Sequence, residues 1–213
     1  RYLFATNLRE ILSSNLINNN DFKWFPQGNF DLVRSPKQFL SAMQLRSEVY
    51  GAMGYGTEFE EEIPGLMFDK HDKNSAIFVY NREKGVSSSI RLVIDNGDLP
   101  SEKKVDFNNL RQRGRIAELS KQVVSFEAQA DGVDFKNFYA GAYYFSKFNG
   151  IDFLTAGIER DHLKLYEKFG GIQVEDELDS YGTIDKPFLF LSWDISKISP
   201  FFEKAFLKRT SYN

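Results

Sequence analysis

Residues 115–126 read RIAELSKQVVSF, and this stretch decides how the chain folds. It has no Gly or Pro and carries β-branched residues at Ile116, Val123 and Val124, which predicts a strand over 115–126. Side chains two residues apart on a strand share a face, so Glu118 and Ser120 are predicted to point at one site. Strict alternation turns Lys121 to the opposite face.

The elements before this strand are mostly helix and hairpin. Helical spacing of apolar residues predicts a helix over residues 2–17 that ends in an Asn cluster. Ser35-Pro36 predicts the start of a second helix, with Ser as cap and Pro in the first turn. Residues 54–74 are predicted as a loop and 95–114 as an irregular linker. The predicted strands are Phe22–Phe25, Phe30–Val33, Ala76–Tyr80 and Ser87–Ile94.

The second half of the chain alternates helices and strands. The predicted helices are 135–145, Asp161–Phe169 closed by Gly170-Gly171, and Phe201–Lys208. The predicted strands are Ile151–Ala156, Gly171–Val174 and Pro187–Trp193. This is a mixed α/β (α+β) pattern without the regular alternation of a doubly wound sheet. We predict one domain over 1–213, with residues 1–20 as an added N-terminal helix.

Composition excludes several functional classes. The 213 residues carry a net charge of −3, which argues against a nucleic-acid partner. There is no Cys, so disulfide scaffolds and Cys nucleophiles are excluded. The two histidines do not predict a metal site, and His71 is expected to be an exposed loop residue. We see neither a transmembrane segment nor a signal peptide, and we expect a cytoplasmic protein.

Charged residues are dispersed through the middle of the chain. Arg46 precedes Tyr50 by four residues, Asp69 and Asp72 lie in FDKHD, and Arg91 lies in SSSIRL. A guanidinium binds a carboxylate through forked contacts, so Arg46 or Arg91 could hold the carboxylate of an amino acid substrate. Asp69 and Asp72 could hold an ammonium or a neighbouring Arg. The alternative is a network of ion pairs in which Asp72 and Arg91 only brace one another.

In this order, over residues 39–125, the motifs resemble those of acyl-homoserine-lactone synthases and long-chain N-acyl amino acid synthases, members of the GNAT superfamily. The resemblance implies the GNAT fold, a mostly antiparallel central sheet flanked by helices and splayed between its fourth and fifth strands. The family motif Glu-x-Ser-Arg here reads Glu118-Leu119-Ser120-Lys121. Lys121 therefore stands in place of the Arg, and a single charged amine replaces a guanidinium that can make bidentate contacts. A β-bulge, typical of this strand in the superfamily, would re-aim Lys121.

The resemblance also implies a reaction. A fatty acyl chain would pass from a thioester to the amine of an amino acid, with Glu118 accepting a proton directly or through water. Tyr166, four residues before Gly170, matches the superfamily tyrosine that protonates the departing thiolate, although a core or rim tyrosine explains it equally well. The acyl thioester would bind at Val123, Val124, Ser125 and Phe126, where strand backbone polarises its carbonyl.

One absence bears on the acyl donor. Coenzyme A-dependent members carry Gln/Arg-x-x-Gly-x-Gly/Ala after the fourth strand, where backbone N–H groups hold the pyrophosphate. Residues 124–132 do not match, which favours acyl carrier protein as donor over acyl-CoA. A basic cluster would dock this acidic partner, unless it is only a solvated face. Its members are Lys103, Lys104, Arg111, Arg113 and Arg115. No permanent cofactor is predicted.

Three alternatives remain open at this point. The chain could be an acyl-homoserine-lactone synthase that uses S-adenosyl-methionine. It could be a non-catalytic GNAT-like module that binds acyl carrier protein or lipid. It could also be an ordinary coenzyme A-dependent acetyltransferase.

Overall fold

The computed structural model describes residues 2–24, 29–59, 61–129 and 132–207. The chain divides into two compact units. The first unit contains Arg1–Val93 and Lys121–Asp134, and the second contains Ile94–Ser120 and Phe135–Asn213. Seven strands follow the order β1-β2-β3-β4-β5-β7-β6. The mixed α/β architecture and its mostly antiparallel sheet are therefore confirmed, whereas the single domain over 1–213 stays a prediction.

The first unit begins with helices packed on an antiparallel sheet. Its elements are α1 (Tyr2–Asp21), β1 (Phe30–Leu32), α2 (Pro36–Ala52), β2 (Ser75–Arg82) and β3 (Gly85–Ile94). β2 pairs with β1 and with β3, both antiparallel. Ser35 caps α2 as predicted, since its hydroxyl accepts the backbone N–H of Gln38. The core gathers apolar residues of α1, α2 and β2, including Ile11, Phe39 and Ile77.

Three asparagines of α1, of which Asn15 and Asn19 are buried, bind backbone carbonyls elsewhere in the first unit. Asn15 Nδ2 donates to the carbonyl oxygens of Asp72 at 2.7 Å and Ser75 at 2.8 Å. Asn18 Nδ2 donates to Lys73 O, and Asn19 Nδ2 donates to a carbonyl of the segment after β1. Each amide supplies the donor that a buried carbonyl needs. The Asn cluster was predicted to end the helix; instead it lies within it, because these side chains find backbone acceptors outside the helix.

We expect Asn15→Ala to destabilise the first unit by about 1–3 kcal/mol, because two buried carbonyl oxygens lose their donor. Asn15→Asp should cost more, because it turns an acceptor towards both carbonyls. Denaturant unfolding measures both effects. Asn7→Ala on the same helix, which removes only an exposed bond to Glu62, is the matched control. Equal stability of Asn7→Ala and Asn15→Ala would contradict this role of Asn15.

The second unit continues with α3 (Asn108–Arg113) and with β4 (Ile116–Val124), whose residues from Lys121 onward belong to the first unit. The remaining elements are α4 (Val133–Asn149), β5 (Phe153–Glu159), α5 (Leu163–Glu167), β6 (Ile172–Leu178), β7 (Phe188–Asp194) and α6 (Pro200–Phe202). β4 pairs parallel to β5 from Ile116↔Phe153 to Leu119↔Ala156. β7 pairs antiparallel to both β5 and β6.

Aromatic rings fill the core of the second unit. Phe169 is fully buried and has ring centroids of five other aromatic residues within 5.5 Å. They are Tyr139, Tyr166, Trp193, Phe202 and Phe206. The chain then turns at Gly170 and Gly171, both with positive φ. A Cβ at Gly171 would lie 2.5 Å from the carbonyl oxygen of Asp194, so this turn requires glycine.

Several local predictions need correction. Phe22–Phe25 is not a strand over residues 22–24, and Phe25 lies outside the described residues. The loop 54–74 contains two short 3-10 helices, Tyr55–Thr57 and Lys70–Asn74. The terminal helix begins at Pro200 and continues as a π-helical turn over Glu203–Leu207, whereas Lys208 lies outside the described residues.

Candidate active site

Four of the predicted residues meet in a buried ion cluster in the first unit. Arg46 on α2 is fully buried and donates to Asp72 Oδ1 at 2.7 Å. Arg91 on β3 is also buried, and its Nη1 lies 2.6 Å from Asp69 Oδ1 and 3.2 Å from Asp72 Oδ1. Asp72 therefore serves both arginines. Both guanidinium groups bind carboxylates within the cluster. This is the alternative in which the predicted residues form a network of ion pairs.

The two aspartates are fixed by a capping box at the start of the 3-10 helix Lys70–Asn74. Asp69 Oδ1 accepts the N–H of His71, and Asp72 Oδ2 accepts the N–H of Asp69, each at 2.8 Å. Burial by itself raises the pKa of Asp69, but the charge and hydrogen bond of Arg91 outweigh it and hold that pKa well below its usual value. Because its side chain is 36% exposed, Asp69 is the accessible, ionised carboxylate of the cluster.

Lys121 has a backbone conformation unlike that of its neighbours on β4. Its φ of +51° makes it the one non-glycine residue in the described chain with positive φ. This left-handed conformation costs about 1–2 kcal/mol, and the β-bulge expected at this position stays a prediction. The Nζ atom lies 3.3 Å from the centroid of the Phe59 ring and 5.2 Å from that of Tyr50.

The charge state of Lys121 is unusual. Burial lowers its pKa to about 7, and the positive charges of Arg91 and Arg46 act in the same direction. The carboxylates of Asp69 and Asp72 oppose them. At neutral pH this amine therefore exchanges between its charged and neutral forms.

Phe59 and Asn15 are part of this arrangement and were missed from the sequence. Phe59 lies in the loop after α2, where a single apolar residue carries no spacing signal. Its ring centroid is 5.3 Å from that of Tyr50, so the two rings form one aromatic surface beside Lys121. Asn15 holds the carbonyl of Asp72 from a helix that the motifs do not include. The amide-rich end of that helix was the available signal.

Glu118 lies in the second unit and is buried there. One carboxylate oxygen accepts the N–H of Ser101 at 3.0 Å, and the other accepts the Ser101 hydroxyl at 2.8 Å. Ser101 belongs to a 3-10 turn, Pro100–Lys103, inside the stretch predicted as an irregular linker. Glu118 thus binds this turn through both oxygens. Ser120, predicted to share a face with Glu118, is half-buried.

Tyr166 also lies in the second unit, beside a small apolar cavity. Its hydroxyl is 2.7 Å from that of Tyr139, and burial raises the pKa of both, that of Tyr139 well above its usual value. The cavity has a free volume of about 20 Å³, close to that of one water molecule. It is lined by both tyrosines and by Leu119, Leu154, Ala156, Phe169, Ile172, Leu191 and Trp193.

The predicted thioester site at the end of β4 needs partial correction. The Ser125 N–H donates to Ser87 O at 2.8 Å, so it is not available to polarise a carbonyl. Val123 packs in a core cluster with Leu45 and Val49. The side chain of Phe126 is exposed, and Val124 is half-buried. A role for the backbone of Val123 and Val124 stays a prediction.

The basic cluster loses one member to internal pairing. Arg111 donates from Nε and Nη2 to both oxygens of Asp95, at 2.7 and 2.8 Å, and it also pairs with Glu102. Arg111 therefore stabilises the second unit and is poorly placed to meet a partner. The exposed members are Lys103, Lys104, Arg113 and Arg115. Docking of a carrier protein on them stays a prediction.

His71 is buried, which corrects the expectation of an exposed loop residue. Its backbone N–H is part of the capping box, so the segment around it is packed into the first unit. Among the described residues, no three His, Asp or Glu side chains are grouped to bind a metal ion. None of the described helices has the length and apolarity needed to cross a membrane.

Structures with this fold include several N-acyltransferases. The N-acyl amino acid synthase FeeM from uncultured soil microbes aligns with a TM-score of 0.62 at 17% identity, covering 78% of this chain and 89% of that chain. The CoA-dependent acyl-homoserine lactone synthase BjaI aligns with a TM-score of 0.65 at 15% identity and covers 82% of each. A structure assigned to an N-acetyltransferase from Lactobacillus plantarum aligns with a TM-score of 0.53 at 14% identity, covering 78% of this chain and 97% of that chain.

The fold is therefore that of the GNAT-like N-acyltransferases, as the motifs predicted. The sequence model of the N-acyl amino acid synthase FeeM matches residues 41–194. This chain belongs to that family, so it is an acyltransferase. The comparison with curated proteins finds no match.

Proposed function

We propose that this protein transfers a medium or long fatty acyl chain from a carrier-bound thioester to the amine of an amino acid, forming an N-acyl amino acid. The observation that carries the proposal is the extent of the family match. Residues 41–194 include the whole ion cluster, the strand β4 and Tyr166. The ion cluster, β4 and Tyr166 thus lie within the part of the chain shared with N-acyl amino acid synthases.

The ion cluster supports an amine as acceptor. Asp69 is ionised and accessible, so it can hold the ammonium group of an incoming amino acid through a charge-assisted hydrogen bond. Arg46 pairs with Asp72, and Arg91 pairs with both aspartates. In this proposal the arginines position the carboxylates and do not touch the substrate. Tyr50 and Phe59 supply the apolar surface beside the acceptor.

The second unit supports the acyl half of the reaction. Its cavity is lined mainly by apolar side chains and by Tyr139 and Tyr166, as an acyl chain requires. At about 20 Å³ the cavity is small, so a long chain would need the lining side chains to move. Tyr166 is proposed to protonate the leaving thiolate, because burial keeps its hydroxyl protonated and Tyr139 orients it.

Glu118 is proposed to contribute through the turn that it binds. Both of its oxygens already accept hydrogen bonds from Ser101, so the carboxylate holds the Pro100–Lys103 turn against β4. Lys103 and Lys104 of the proposed docking surface lie two and three residues after Ser101. Removing this carboxylate should therefore lower activity by disturbing the turn.

The start of α4 supports a donor that places no pyrophosphate there. Helix N-termini favour anions because their backbone N–H groups are unpaired. Here the first turn carries its own buried carboxylate, Asp134, which pairs with Arg82 Nη2 at 3.0 Å. A phosphate brought to this turn would meet that negative charge. Acyl carrier protein is accordingly the proposed donor.

Mass spectrometry of lipid extracts from a bacterial host tests this function. We expect new N-acyl amino acids when the chain is expressed, and about a hundredfold less with Glu118→Gln, because a small misplacement of positioning groups costs about that much. Thermal unfolding of the purified variant controls for folding. Acyl-homoserine lactones instead would identify a lactone synthase. No new product from folded protein, with either acyl carrier protein or acyl-CoA supplied in vitro, would refute the synthase.

A further inference from the structure

We propose that Lys121 is the residue that takes the proton from the acceptor ammonium, so that this chain uses a lysine as its general base. The inference rests on the proposed function and assigns a residue to one step of it. It concerns a position where the family resemblance implies Arg, a side chain that stays charged and cannot act as a base.

The backbone is the first support. Non-glycine residues rarely adopt positive φ within a strand, and such conformations concentrate where function requires a particular side-chain direction. Lys121 is the one such residue in the described chain. Strict alternation would have turned its amine away from the face of Glu118 and Ser120. Instead, the conformation at Lys121 places the amine over the rings of Phe59 and Tyr50.

The surroundings of the amine are the second support. Arg46 and Arg91 bring like charge from α2 and β3, and burial disfavours the ammonium form. Asp69 and Asp72 bring opposite charge, and the backbone of His71 fixes Asp69. The face of Phe59, 3.3 Å from Nζ, attracts a cation. These opposing effects leave the amine neutral often enough to accept a proton and stabilise it once accepted.

The proton balance of the step is complete. The neutral Nζ of Lys121 takes one proton from the ammonium group that Asp69 holds. The freed amine attacks the thioester carbonyl, the C–N bond forms and the C–S bond breaks. The nitrogen loses its second proton to solvent as the amide forms. Tyr166 gives one proton to the thiolate, which becomes a thiol, and Tyr166 regains a proton from solvent. The net reaction releases one proton, which Lys121 returns to solvent.

Steady-state kinetics against pH test this role. We expect kcat/KM of the unaltered protein to rise tenfold per pH unit below about 7 and to level off above it, because only neutral Lys121 is active. In Lys121→Arg, kcat/KM should no longer rise with pH below 7, and it should be at least a hundredfold lower than in the unaltered protein. Lys84→Arg, the same change at an exposed lysine, should alter neither. A Lys121→Arg variant that keeps both this rise and the activity would overturn the proposal.

Competitive labelling gives a readout that does not depend on turnover. A small acylating reagent reacts only with neutral amines, so peptide mass spectrometry reports the pH at which each lysine is half-labelled. We expect half-labelling of Lys121 near pH 7. Half-labelling of Lys121 only near the ordinary lysine value of about 10.4 would overturn the proposal even in an active enzyme. A titrating Lys121 in a protein without acyltransfer would instead refute the proposed function, and the role of base with it.

Discussion

We expect Asp72→Asn to lower the stability of the first unit by about 3–5 kcal/mol, one of the two largest effects in the molecule. Asp72 Oδ1 faces both Arg46 and Arg91, and all three side chains are buried. An amide of the same shape removes the negative charge with which buried Arg46 pairs, and it leaves Arg91 only its pair with Asp69. Thermal and denaturant unfolding of the purified variant measure the loss, which corresponds to roughly 10 °C in melting temperature.

Glu127→Gln is the matched control for this experiment. Glu127 also pairs with a cation in the first unit, Lys84 at 3.3 Å, but both side chains are largely exposed. Exposed pairs contribute about 0–1 kcal/mol, so this variant should unfold almost as the unaltered protein does. Similar losses for the two carboxylate substitutions would show that burial of the ion cluster is not what makes Asp72 important.

The second large effect is expected for Phe169→Ala, which should destabilise the second unit by about 3–5 kcal/mol. Phe169 is fully buried, and its ring packs against those of Tyr139, Tyr166 and Trp193. Truncation leaves a space that these rings cannot fill without moving. It should also disturb the pairing of the two tyrosine hydroxyls, so acyl transfer should fall further than stability alone explains.

Phe126→Ala removes the same ring from an exposed position, since Phe126 is 59% exposed. Surface substitutions of this kind change stability by about 0.5 kcal/mol or less. Denaturant unfolding followed by tryptophan fluorescence compares the two variants. Trp193 contacts Phe169 and so reports on this core. An unfolding midpoint of Phe169→Ala within error of Phe126→Ala would contradict the packing argument.

Much of the fold could be predicted because local chemistry matched the tertiary structure. Ser35 and Pro36 formed the helix start that their types predict. The β2–β3 hairpin was found where two predicted strands, Ala76–Tyr80 and Ser87–Ile94, lie on either side of Gly85. In each case the deciding interaction lies within a few residues of the side chain that signals it.

Other features depend on partners distant in sequence. Asn residues favour helix ends in isolation, yet those of α1 are helical because carbonyls some 55–60 residues away accept their amides. Glu118 meets Ser101 through a turn that no motif marks. Phe59 reaches Lys121 from a loop without periodicity. The ion cluster was predicted as a set of residues, but the sequence did not indicate that Asp69 alone would be accessible.

The asparagine contacts of α1 show that the limits of the family match differ from the limits of the segment that folds as a unit. The family match covers 41–194, whereas the carbonyls of Asp72 and Ser75 depend on an amide at position 15. A fragment cut to the limits of the match would retain every motif residue and still lose those donors, together with the apolar side chains that α1 packs on the core. The stretch that defines the family is therefore shorter than the stretch that must fold together.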